Sequence, residues 1–256
     1  MIAPRIPSPF RPVGTLVLAA LLALPAGFAN AQPWSGERII GSGVTTTETR
    51  DVSGFNSVAL DVPAKLKLHQ GEREGLSITG DDNIIPLVET VVENGTLKIR
   101  WADKGNYTTS YKTLQIAVDA RDVDGLILSG SGQIHAERLK TGSLRTTIEG
   151  SGAISFDALD ADSVHATIHG NGHLSAAGRA DSLDVAVAGS GELSAAKLAS
   201  RRARIALQGS AQATVWAKDD LNATIAGSGQ IKYYGTPRVN QAVAGSGSIR
   251  HIGDAS

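Results

Sequence analysis

Glu149, His165, His169 and His173 are the titratable residues whose types and spacing come nearest to a chemical site. Carboxylate and imidazole are zinc or copper ligands, but a metal site recruits three or more donors that converge on one point. If the chain returns on itself every 20 residues, Glu149 and His169 become neighbours and His173 lies across a turn from them. An exposed polar pair on a solvated face is the plainer reading, with a weak zinc or copper site as the alternative. Hydrolysis of a polysaccharide would need a second carboxylate placed for acid and base work, and the sequence gathers no such cluster. No serine stands in a Gly-x-Ser-x-Gly nucleophile context. The sequence therefore designates no catalytic residue, no metal ligand and no cofactor.

The few aromatics give a second candidate. Trp216 and Tyr234 occupy the same place in two successive copies of a repeat, with Tyr233 beside them. Stacked rings on a rim could hold sugar rings or could pad the end of a core. Strand alternation puts Ala213 and Val215 inward and so turns Trp216 outward, which predicts a largely exposed indole. Trp216, Tyr234 and Tyr233 are the weak ligand-binding candidates. Trp101, Tyr107 and Tyr111, with Lys104 and Lys112 nearby, form a looser aromatic group.

The repeat that positions these residues is marked by Gly130-Ser131-Gly132, Gly150-Ser151-Gly152, Gly170-Asn171-Gly172, Gly189-Ser190-Gly191, Gly227-Ser228-Gly229 and Gly245-Ser246-Gly247. One degenerate copy stands at Gly209-Ser210-Ala211, and the first glycines are spaced by 20, 20, 19, 20, 18 and 18 residues. Two positions before that glycine stand Leu128, Ile148, Ile168, Val187, Leu207, Ile225 and Val243. Four after it stand Ile134, Ile154, Leu174, Leu193, Ala213, Ile231 and Ile249. Both columns must face a core, and the polar, Thr or Ala residues between them give the period-two signature of strands. Five before the glycine, Arg145, His165, Asp184, Arg204, Asn222 and Asn240 form an outward ladder with modest pairing energies. A phosphate cradle would need each glycine loop to open a helix, whereas every loop here leads into another alternating segment.

Uniform columns are what direct stacking of coil on coil predicts. The fold class is all-β, a parallel β-helix or solenoid of about 20-residue coils with Gly-Ser-Gly turns, right-handed by the usual crossover preference. An array of antiparallel hairpins is the competing architecture. Residues 41–124 alternate without the strict repeat and read as irregular N-terminal coils that close one end of the stack. Residues 125–253 are the regular repeats, and 41–253 make a single domain. Residues 1–31 read as a signal peptide, with Arg5 and Arg11 before an apolar run and cleavage after Ala31, and 32–40 as a linker. The charge is balanced, 24 Lys and Arg against 25 Asp and Glu, so nothing concentrates nucleic acid on the surface. Cysteine is absent. No second apolar run follows, so no integral span is expected after signal removal, and export to periplasm or medium is.

Thr47-Glu48-Thr49-Arg50-Asp51-Val52, Gly54-Phe55-Asn56-Ser57-Val58, Asp81-Asp82-Asn83-Ile84, Glu93-Asn94-Gly95-Thr96-Leu97 and the serial Gly-Ser-Gly-x-Ile units follow one another in this order. In that order they resemble the bacterial auto-transporter adhesin head GIN domain family (DUF2807) over roughly residues 41–253. The resemblance implies an exported β-helical domain with an adhesin-like role and brings no catalytic residues. No C-terminal translocating barrel is expected from this sequence, a departure from a true autotransporter. The expected function is a binding or structural module of the bacterial envelope that meets glycan or protein. The alternatives are a polysaccharide-active enzyme on a β-helix scaffold and a self-associating architectural element.

Overall fold

The computed structural model describes residues 39–102 and 114–254. The expected signal peptide, most of the linker, and Tyr107, Tyr111, Lys104 and Lys112 lie outside the described residues.

Five successive coils form the regular part: β9 (Gln133–Gly150), β10 (Ala153–Gly170), β11 (His173–Gly189), β12 (Glu192–Gly209) and β13 (Gln212–Gly227). Each pairs in parallel with the next, so Ile148, Ile168, Val187, Leu207 and Ile225 stand in one register line. All five are at most 1% exposed, and each such side chain contributes about 1.5–3 kcal/mol by leaving water. Three corners bend each coil around this interior. One is the glycine pair. The other two are places where the alternation resets with two adjacent outward residues, Asp157-Ala158 and Asp162-Ser163 in β10. Between corners, Ile154, Phe156, Leu159, Ala161, Val164, Ala166 and Ile168 all face the core.

The corners decide between solenoid and hairpin. The Ser151 amide bonds to the Gly130 carbonyl at 2.9 Å and the Asn171 amide to the Gly150 carbonyl at 2.8 Å, so the turns themselves stack coil on coil. Gly150 has φ +117°, and a Cβ there would stand 2.7 Å from the Gly130 oxygen. Both the backbone conformation and the close approach of the neighbouring turn require glycine. The coils of fewer than 20 residues lose their residues at a corner, not in a wall: the register slips between Phe156 and Leu159 of β10 against β11, and between Ala195 and Ala199 of β12 against β13. At the first slip Gly178, φ +121°, lies against the Leu159 backbone, where a Cβ would approach the carbonyl oxygen to 2.1 Å.

Eight strands precede the regular coils: β1 (Thr45–Arg50), β2 (Ser57–Leu60), β3 (Ala64–Gln70), β4 (Gly75–Asp81), β5 (Val88–Glu93), β6 (Thr96–Trp101), β7 (Leu114–Ala120) and β8 (Gly125–Gly130). β8, β2 and β6 extend one wall of the stack in parallel, and β3 and β7 extend another. Beyond them the coil pattern stops. β4 runs antiparallel to β7, β1 antiparallel to β4, and β5 antiparallel to β6. Alternating residues alone do not distinguish parallel from antiparallel pairing, which is why these segments read as coils. The β5–β6 turn is Asn94-Gly95 with φ +51° and +75°, the two positive values a tight hairpin loop needs. Ile85–Leu87 before β5 is a short 3-10 turn with Pro86 in its first positions.

At the other end, β14 (Gln230–Tyr234), β15 (Arg238–Gly245) and β16 (Ser248–His251) make the last described coil. Here the inward columns end in the open: Val239 is 38% and Val243 44% exposed, against 1% for Leu221 and 0% for Ile225 directly beneath them. The expectation that all seven copies bury this column thus fails for the last, because no further described strand covers it.

Candidate functional site

One outward wall of the solenoid carries a groove of about 640 Å³ that runs across the coils from His165 to Asn240. Its polar lining comes from two outward columns, five and seven positions before the marker glycine, with the apolar column of Leu183, Ala203, Leu221 and Val239 between them. The first is the ladder expected from the sequence: His165, Asp184, Arg204, Asn222 and Asn240 are register neighbours in turn. The second, Ser182, Arg202, Asp220 and Arg238, was not singled out, although the same alignment read two residues earlier contains it. Strand alternation puts both columns on the same face.

Ion pairs fix part of this lining. Arg238 Nη2 lies 2.9 Å from Asp220 Oδ1 and Arg204 Nη1 3.7 Å from Asp184 Oδ2. The His165 ring, the Arg202 guanidinium and the Asn222 and Asn240 amides have no hydrogen-bond or ion-pair partner among the described residues, and all four line the groove. Strands stack about 4.8 Å apart, so the groove offers donors and acceptors at a regular pitch. Three arginines face two aspartates. Such a surface suits a neutral or weakly acidic polar ligand.

The histidine constellation does not converge. Glu149 and His169 are register partners as the repeat requires, but His173 turns to Glu192, with Nδ1 3.5 Å from the carboxylate, and His165 lies in the groove. His135, on the next wall, accepts or donates one bond with Ser155 at 2.9 Å and faces Asp157 at 3.3 Å. Among the described residues no group of three or more His, Asp and Glu side chains stands close enough to hold a metal ion.

Trp216 and Tyr234 are register partners on β13 and β14, and Val215 pairs with Tyr233. Tyr233 falls on the inward phase and packs against the end of the core, 5.2 Å from the His251 ring. The Trp216 indole points outward but is half-buried, less open than alternation suggests, and Lys218 Nζ lies 5.3 Å over its ring. Trp101 is also half-buried, against the core near β5. The aromatic pair is separate from the groove, whose lining includes neither ring.

The N-terminal motifs act in structure, away from the groove. Arg50 donates from Nη1 to the Val88 carbonyl at 2.5 Å and from Nη2 to the Ile85 carbonyl at 3.2 Å, tying β1 to the 3-10 turn and β5. Phe55 is buried, and Asn56 Nδ2 donates to Asp124 at 2.7 Å across the entry to the regular coils. The family described as "Putative auto-transporter adhesin, head GIN domain" matches residues 54–237. The chain belongs to this family. Its GIN-domain fold recurs in solved structures. A putative adhesin from Bacteroides fragilis is 25% identical with a TM-score of 0.78, covering 84% of this chain and 100% of that one. A putative lipid binding protein from Parabacteroides distasonis is 27% identical with a TM-score of 0.72, at the same coverages of 84% and 100%. A putative adhesin from Parabacteroides merdae, 21% identical with a TM-score of 0.68 over 84% of this chain and 99% of that one, shares the fold. No curated protein matches the chain. Among the described residues no helix is long and apolar enough to cross a membrane.

Proposed function

We propose that this GIN-domain protein is an exported, non-catalytic binding module of the bacterial envelope that holds a polar polymer, a glycan of the cell surface or envelope, along the groove. The observation that carries the reading is the set of polar groups without a partner among the described residues, His165, Arg202, Asn222 and Asn240, lining one concavity that crosses the coils from β10 to β15. A repeating ladder matches a repeating ligand, and hydroxyl-rich chains satisfy amide and guanidinium donors. The adhesin-like solved relatives support binding over catalysis. The lipid-binding description of one relative is a poorer guide to this groove, because its outward lining is mostly charged and amide side chains and, of its apolar residues, Leu183, Ala203 and Leu221 are buried and only Val239 is exposed.

A second reading, favoured by the register of Trp216 with Tyr234, places a sugar ring on that aromatic step. Screening the purified protein against envelope glycans and cell-wall polymers separates the two. Groove binding requires Arg202→Ala and Asn222→Ala to weaken affinity, about tenfold where a charged hydrogen bond is lost, with unchanged melting. Loss confined to Trp216→Ala would move the site to the aromatic step. Export by the signal at residues 1–31 requires the mature chain to begin at Gln32, which N-terminal sequencing reads; an intact Met1 in the membrane fraction contradicts it.

A further inference from the structure

The last coil presents a strand edge together with core-phase side chains that nothing described covers. Among the described residues β15 pairs only with β13, through one edge. Its residues are exposed throughout, and Val239, Val243 and Ile252 are 38%, 44% and 39% exposed. A free parallel edge backed by apolar residues is a template for another strand.

The sequence of this edge specifies which strand. Val239-Asn240-Gln241-Ala242-Val243 reads the same in its inward positions in both directions, Val-x-Gln-x-Val. An antiparallel copy turned about a two-fold axis through Gln241 sets Val239 against Val243 of the second copy, Val243 against its Val239, and the two Gln241 amides against each other. A primary amide both donates and accepts, so it can bond its own symmetry mate. The outward positions place Asn240 opposite Ala242 and Arg238 opposite Ala244, so no like charges meet across the pair. Arg238 remains engaged by Asp220 beneath it. We infer that β15 is the contact of a tail-to-tail dimer, with a second copy of this chain continuing the solenoid through an antiparallel β15 pair centred on Gln241. A two-fold arrangement closes on itself and so stops at two copies.

The chain has no cysteine, which permits a test of register. Directly opposed antiparallel residues have Cα atoms about 4.5–5.5 Å apart, inside the range of roughly 4.4–6.8 Å that a disulfide spans. Gln241→Cys in the full chain should therefore form a disulfide dimer under mild oxidation with little off-register product. Val239→Cys, which faces a valine, should cross-link at least tenfold more slowly. The unmodified protein should show a monomer–dimer equilibrium by sedimentation, and Val243→Lys should shift it to monomer with an unchanged circular dichroism spectrum and with the melting temperature that the unmodified protein has when diluted to monomer. Sedimentation as a monomer at every concentration would overturn the inference, as would equal cross-linking at 239 and 241 or a dimer indifferent to Val243→Lys. Arg238, Val239 and Asn240 of β15 also line the end of the groove, so sedimentation and cross-linking are read without glycan, and the groove is tested apart from the dimer at Arg202 and Asn222.

Discussion

Arg179 and Asp160, on successive coils, meet in a two-pronged pair: Nε donates to Oδ1 at 2.7 Å and Nη2 to Oδ2 at 2.8 Å. The pair links β10 to β11 at the corner next to Gly178, where the register slips. The hydrogen bond from Arg179 holds the Asp160 carboxyl below the usual carboxylate range, with the nearby charges of Arg179 and Lys140 adding to it against some desolvation.

A carboxyl whose pKa is lower folded than unfolded stabilises the fold above its unfolded value, near 3.9, and loses that contribution as pH falls through the folded value. Arg179→Ala should return the Asp160 titration toward the ordinary value in a carbon-detected NMR experiment. It should also remove part of the acid dependence of stability below about pH 4. An Asp160 titration that does not move in the variant would show that the pair does not form in solution.

Ile168 stands midway in the register line from Ile148 to Val187 and is fully buried. Ile168→Asp would place a carboxylate in this column with no partner, costing about 3 kcal/mol or more. Denaturant unfolding is the measurement. An unchanged midpoint would mean that this column does not face the interior.

Trp216 is half-buried on the outward side, with Val215 and Ala217 filling the core on either side of it. Trp216→Ala should therefore cost only about 1–2 kcal/mol, below the 3–5 kcal/mol of a core tryptophan. Part of that loss is the contact with Lys218, which is worth about 0.5–1 kcal/mol at exposed sites. A loss in the full core range would show that the indole is an interior residue.

The columns through Ile168 and Ile154 were legible because seven copies repeat the same phase, and stacking puts equal positions in equal environments. Val239 and Val243 carry the same pattern but end in the open, since a column says which side is inward and not whether another coil follows. The antiparallel β1, β4 and β5 were hidden for a different reason: alternation specifies a face, while strand direction depends on distant partners. At the groove, His165, Asp184, Arg204, Asn222 and Asn240 were visible as a ladder. Read alone, that ladder is a solvated charged row. It becomes a concavity only with Arg202, Asp220 and Arg238 beside it, and the curvature of a wall is a property of three-dimensional packing that spacing does not encode.

The most direct measurement of the binding account is an NMR titration of the isotope-labelled protein with a panel of neutral and acidic envelope glycans, following the side-chain amides of Asn222 and Asn240, the His165 ring and the Trp216 indole. The account predicts saturable shifts at Asn222, Asn240 and His165 with at least one polymer, and an indole signal that stays in place. Shifts centred on Trp216 and Tyr234, or no saturable shift with any member of the panel, would contradict it.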